Sequence, residues 1–178
     1  MEKMILLLFF LSGCMTAPER SFQVDPDTEI YPLSVAEMEV VPMTVHFDML
    51  PHIENKMPTS PEEAIQEWVN NHLKVTHVGN KKMWVIVERA EMLKTDLPSG
   101  SFFKLDEESY TLNYQLSVQI REGDRIIQNL PVEGKGYITL KKKAALASKE
   151  KGWAWLIQKM LTHLKNKMQA DLEDVFVE

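Results

Sequence analysis

The chain has 178 residues, 44% of them hydrophobic, a formal net charge of −6 and one cysteine. That length suits a single domain with its own core. The mild acidity argues against nucleic acid and against an electrostatic hold on anionic lipid, and a lone cysteine excludes an intrachain disulfide in any redox compartment.

Lys3 opens the chain with a positive charge, offset by Glu2, and Met4 to Leu11 form an unbroken apolar run. This run is far shorter than the roughly 20 residues a membrane-crossing helix needs, and it suits the core of a signal peptide. The small residues Ser12 and Gly13 follow, and then Cys14. Leu11-Ser12-Gly13-Cys14 resembles the lipobox of bacterial lipoproteins. The resemblance implies that residues 1–13 are a cleaved signal peptide, that Cys14 carries a diacylglyceryl group, and that its amine takes a further acyl chain such as palmitate. Two or more chains hold a membrane durably, each buried methylene contributing about 0.8 kcal/mol. Met15 in place of aspartate after the cysteine implies, by the same resemblance, the outer membrane rather than the inner one, facing the periplasm. Cleavage removes one acid and one base, so the charge stays at −6.

Residues 14–32 read as the lipidated start and a flexible tether. Pro18, Pro26 and Pro32 deny it regular structure, while Glu19, Arg20, Asp25 and Asp27 keep it wet. A free chain of this length spans on the order of 20–25 Å. The domain is expected to hang near the membrane and to occupy residues 33–178.

Leu33 to Phe47 is strand-like, with Pro42 splitting it or confining it to an edge. Ser60-Pro61-Glu62-Glu63 carries a capping hydroxyl, proline at the first helical position and a glutamate three after the cap. Ile65, Trp68, Val69, His72 and Leu73 follow at helical spacing. Met83 to Val87 fits a covered strand that runs on amphipathically to Leu93. Tyr110, Leu112, Tyr114, Leu116, Val118 and Ile120 alternate without error with polar residues up to Arg121, which requires one buried and one wet face. Glu122-Gly123-Asp124 turns the chain, and Val132 to Leu140 returns as a partner strand. Ser148 is positioned to cap a last helix, whose stripe runs Trp153, Leu156, Ile157, Met160, Leu161, Leu164, Met168 and Leu172. The order β-α-β-β-β-α predicts an α+β fold: a two-layer sandwich with a mostly antiparallel sheet of about four strands and two helices on one face. Gly134 and Gly136 lie on the face of Val132 and Ile138, where missing side chains would make room for Trp153 or Trp155.

Pro32-Leu33-Ser34-Val35-Ala36-Glu37, Pro51-His52-Ile53-Glu54, Pro58 and Pro61 leading into Ala64 and Trp68, and Glu108-Ser109-Tyr110 entering the long strand resemble a group of uncharacterised alphaproteobacterial lipoproteins. The similarity continues through Trp153 into the last helix and covers most of residues 14–178. It implies an address and no reaction. More remotely, the element order is similar to auxiliary lipoproteins of ABC-type lipid transporters and to the small lipoprotein of lipopolysaccharide assembly; that is an analogy of fold, which does not carry function.

Residues that could do chemistry are scattered. His72 and His77 stand five apart and share no helix face. His46, Asp48, His52 and Glu54 surround a loop where a metal could collect, or are surface residues of a turn. His163 borders the apolar stripe of the last helix. Gly134-Lys135-Gly136 lacks a third glycine and a following helix, and Ser99-Gly100-Ser101 lacks a strand-to-helix elbow. The neighbouring carboxylates of Glu62-Glu63 and Glu107-Glu108 point apart. Lys141 to Lys143 read as a solvated strand end. No enzyme, metal or cofactor is expected beyond the lipid on Cys14.

The wet side of the long strand carries Thr111, Asn113, Gln115, Ser117 and Gln119, all polar and uncharged. Such a row is either ordinary solvated sheet or a docking face, since no charge need leave water when a partner covers it. The expectation is a non-catalytic, lipid-anchored protein that binds another envelope component. The alternative is a lipid-binding or transporter auxiliary protein, with a cavity lined by Met160, Leu164 and the tryptophans.

Overall fold

The computed structural model describes residues 29–44, 49–77, 79–97 and 106–175. Residues 1–13, Cys14, Met15, most of the tether, His46, Asp48 and Ser99-Gly100-Ser101 lie outside the described residues.

Among the described residues, six strands and two helices follow one another. These are β1 (Tyr31–Leu33), β2 (Glu37–Val41), α1 (Pro61–His72), β3 (Leu73–Val75), β4 (Lys81–Leu97), β5 (Glu107–Glu122), β6 (Arg125–Lys141) and α2 (Leu146–Asp171). Short 3-10 turns stand at Glu54–Lys56 and Glu173–Val175. The main sheet has the order β2-β4-β5-β6. Both helices pack on one face of it, α2 along β6 and β5 and α1 against β4 and β3. The fold is therefore α+β in two layers.

Two parts of the topology differ from expectation. The sheet is mixed, because β2 runs parallel to β4, and β1 and β3 form a separate parallel pair. The apolar stretch from Leu33 is not one strand: Val35 turns into the core, β2 begins at Glu37, and the strand stops before Pro42, which has no N–H for a ladder. Pro32 sits inside β1 opposite Lys74, so regular structure begins at Tyr31.

The strands obey their alternation. On β5 the even-numbered residues from Glu108 to Ile120 are buried, and most of their odd-numbered neighbours are half-exposed. On β4, Met83, Val85 and Val87 face the helices, and then Ala90 and Met92 do. The change of parity falls at a register shift between Val87 and Arg89. One extra residue there keeps Met92 in the core; without it the outer half of the strand would turn its apolar side to water. A second shift lets Ile120 face Gln128 while Arg121 faces Ile126, and it leaves Ile126 and Ile127 exposed.

The capping box of α1 forms as the sequence predicts. Glu63 N–H donates to Ser60 Oγ at 3.2 Å, and Ser60 N–H donates to Glu63 Oε2 at 2.8 Å. For α2 the cap differs: the helix starts at Leu146 after Ala145, and Ser148 lies in its first turn with its N–H on the Ala145 carbonyl. The core joins both helices to the sheet. Met160, Leu164 and Trp153, expected to line a cavity, are buried between α2 and the sheet, whereas Trp155 points outward beneath the Lys159 ammonium. The two strand glycines make room for other side chains than the tryptophans. A Cβ on Gly134 would lie 2.2 Å from Tyr114 Oη, and one on Gly136 would lie 3.0 Å from Leu156 Cδ2.

Candidate functional site

Opposite the helices, the sheet presents a face that no described helix covers. β5 contributes the predicted row, and the register sets its neighbours: Trp84 beside Gln119, Ile86 beside Ser117, Glu91 beside Asn113, Asn129 beyond Gln119 and Glu133 beyond Gln115. Thr111, Asn113, Gln115 and Gln119 are half-exposed, and Ser117 is buried by its neighbours.

The row is not a plain solvated surface. Ser117 Oγ donates to Asn129 Oδ1 at 2.7 Å and accepts from Gln119 Nε2 at 3.2 Å. Gln119 Oε1 accepts from Arg121 Nε at 3.0 Å and from Nη2 at 2.5 Å. The same guanidinium lies 3.9 Å from the centre of the Trp84 ring, within cation–π range. Gln115 Nε2 donates to Glu88 Oε2 at 2.6 Å. Bonds across and along the strands thus pre-set three of the five predicted side chains and leave Thr111 and Asn113 as the least constrained end. Charge is also present where the β5 row alone shows none: Glu37 and Lys82 pair at 2.5 Å at one end, and Arg89 and Glu91 pair at 3.7 Å towards the other.

A second polar site sits at the end of the sheet, on the helix side. Glu108 is fully buried. Its Oε2 is 2.7 Å from Lys94 Nζ, its Oε1 pairs with Lys149, and Tyr110 Oη donates to Oε1 at 2.5 Å. Burial pushes the carboxyl pKa up, but hydrogen bonds from Lys149, Lys94 and Tyr110 outweigh that and hold it at about 2. The bond to Glu108 raises the Lys94 pKa, and burial raises that of Tyr110. Glu107 and Glu108 point apart as expected, and the burial of Glu108 follows from its parity with Tyr110 and Leu112: extending the alternation by one step places it in the core. Glu107, its neighbour, is exposed, as adjacent strand residues must be.

The histidines separate. His163 Nδ1 is 2.6 Å from Tyr114 Oη, above Gly134. His72 Nδ1 meets the Glu29 carbonyl at 3.1 Å and His77 Nδ1 the Ala36 carbonyl at 3.0 Å, while His52 faces Glu54 at 3.4 Å. Glu54 also accepts from Met92 N–H at 2.6 Å, which ties the loop to β4. Glu62 does the same for Met43 N–H at 2.6 Å, and Glu63 is used by the helix cap. Among the described residues, no three His, Cys, Asp or Glu side chains converge on a point that could hold a metal. No described helix is long and apolar enough to cross a membrane.

The fold and its uncovered face define a two-layer α+β domain built around a long three-stranded meander. Solved structures similar to it include rare lipoprotein B from Shewanella oneidensis (10% identity, 78% of this chain and 95% of that one, TM-score 0.43). A minor lipoprotein from Acinetobacter baumannii is similar at 12% identity over 83% of this chain and 99% of that one, TM-score 0.43. An uncharacterised lipoprotein B from Nitrosomonas europaea is similar at 11% identity over 79% of this chain and 84% of that one, TM-score 0.43. No protein-family model matches the chain, and no curated protein matches it.

Proposed function

We propose that this chain is a lipid-anchored protein of the cell envelope, carrying its lipid on Cys14, that docks an envelope protein through the open face of its sheet and catalyses no reaction. The observation that carries this reading is the open face itself. It holds a half-buried Trp84 and Ile86 beside a neutral row of which Gln115, Ser117 and Gln119 are already hydrogen-bonded, with the nearby charges of Glu88 and Arg121 already partnered. A partner covering it meets few groups that must be stripped of water, and finds an aromatic anchor fixed by Arg121. The periplasmic face of the outer membrane is the location that Met15 supports. The lipid-carrier alternative would need a cavity beside Met160, Leu164 and Trp153, which are buried in the core between α2 and the sheet.

The test has two arms. Cys14→Ser should move the chain from the membrane fraction to the soluble fraction and abolish labelling by palmitate. A photo-crosslinking residue at Asn113 should give one discrete protein adduct in intact cells, and adding Thr111→Lys with Gln115→Lys beside it should remove the adduct without altering thermal unfolding. An unchanged fractionation pattern refutes the anchor, and an adduct that survives the lysines refutes the face.

A further inference from the structure

The free edge of β6 has a regular phase. Lys142 N–H donates to the Asp106 carbonyl at 2.8 Å, so even-numbered residues of β6 turn their backbone groups towards β5 and odd-numbered ones turn them away. The two-residue turn at Gly123 and Asp124 gives the same phase once the extra residue before Gln128 is counted. Pro131 falls in the outward set, where its missing N–H breaks no ladder bond. From Glu133 to Thr139 the outward N–H and C=O groups have no strand beside them among the described residues.

The side chains along this edge are also incomplete. On the helix side Gly134, Gly136, Ile138 and Leu140 are half-buried, whereas the matching β5 row of Tyr110, Leu112, Tyr114 and Leu116 is fully buried. On the open side Tyr137 is 71% exposed. Natural edges this long are usually blunted by charge, proline or a covering element, and between Lys135 and Lys141 this one has none in the strand itself. The charge beside it is positive in a chain of net charge −6. Lys135 and Lys141 lie on the strand, and Lys159 is exposed on the flank of α2 that carries His163, away from the side where Lys165 meets Glu29. Glu133 on the strand and Glu107, opposite Lys141 on β5, are the acids among them.

We infer that the outer edge of β6, from Glu133 to Thr139, accepts an added strand from another protein: an extended segment in which acidic residues alternate with apolar ones. Its backbone takes the outward N–H and C=O groups. Its apolar side chains cover Ile138 and Leu140 beneath α2, and its carboxylates, all on the open side, meet Lys135 and Lys141. The edge adjoins the open face, Lys135 standing beside Asn113 and Tyr137 beside Thr111, but its backbone groups point away from that face, so amide exchange along the strand reads the edge on its own.

The test uses the full chain in mild detergent and a synthetic peptide of about ten residues alternating valine and glutamate, the length of a long strand. In amide hydrogen exchange the peptide should slow residues 133, 135, 137 and 139, with 134, 136 and 138 already slow in the free protein. A valine–lysine peptide should bind about tenfold more weakly. Tyr137→Pro removes one outward N–H without touching the β5 ladder and should also weaken binding about tenfold. Lys135→Glu, which leaves the backbone intact, should do so through charge alone. Equal binding of the two peptides, or protection that ignores the parity of the strand, overturns the proposal. So does self-association that Glu37→Lys with Glu39→Lys abolishes, since the edge would then be taken by β2 of a second copy.

Discussion

Glu108→Gln tests the buried charge directly. The carboxylate is fully buried, with Lys94 and Lys149 on its two oxygens and Tyr110 donating to one of them. Its pKa falls from an ordinary 4.5 to about 2, a difference equivalent to about 3 kcal/mol of stability. Because the folded value is depressed, that stability is fully present above pH 4.5 and is lost as the pH falls towards 2. The amide keeps the shape and one acceptor but leaves Lys149 without its carboxylate and Lys94 with only Asp96, at 3.8 Å, as a counter-charge. Both lysines retain some contact with water, at 27% and 17% side-chain exposure, so the cost belongs at or below the low end of the roughly 3–5 kcal/mol seen for fully buried pairs. Urea unfolding followed by tryptophan fluorescence reads this well, since Trp153 packs edge-on against Tyr110 at 5.4 Å. The variant should be less stable by about 3 kcal/mol at pH 7, and the gap should shrink to about 1 kcal/mol near pH 2.5. Lys94 shifts in the opposite sense, so its contribution holds at and below its ordinary 10.5 and fades as pH rises through the raised value. A gap below about 0.5 kcal/mol at pH 7, the level of a neutral surface change, would refute the reasoning.

Gly134→Ala should cost about 2–3 kcal/mol, because the new Cβ would sit 2.2 Å from Tyr114 Oη and displace it from His163; thermal unfolding measures it. Gly152→Ala is the contrast. Its Cβ would meet the flexible end of Ile138 at 2.3 Å, and a gain of about 1 kcal/mol in helix propensity offsets the crowding, so its midpoint should barely move. Ser60→Ala removes one bond of the α1 capping box and should lower stability by about 1 kcal/mol in urea titration, with Ser60→Asp restoring it.

The elements with strong local signals were legible. The unbroken alternation from Tyr110 gave β5, and proline after Ser60 gave the start of α1. What the sequence concealed depends on partners far along the chain. Nothing in Glu37–Val41 says that it pairs parallel to β4, and a three-residue strand directly after a helix, as in Leu73–Val75, is too short to show a period. β6 was read from Val132 because Ile126, Ile127 and Pro131 break the alternation, which is what a bulge and an outward-facing edge do. Of the candidate face, the five β5 residues could be named in advance. Their surroundings could not, because Asn129 and Glu88, which bond Ser117 and Gln115, and Trp84, which stacks on Arg121, arrive from neighbouring strands.

The order of the strands also governs how the polypeptide can assemble while it is being made. β4, β5, β6 and α2 are consecutive, so each finds its neighbour as soon as it leaves the ribosome or translocon. Tyr31–Leu33 and Glu37–Val41 emerge earlier, yet they have nothing to join until Leu73–Val75 and Lys81–Ile86 have followed. For that interval their backbone N–H and C=O groups bond water, and each segment enters the architecture only when its later partner arrives.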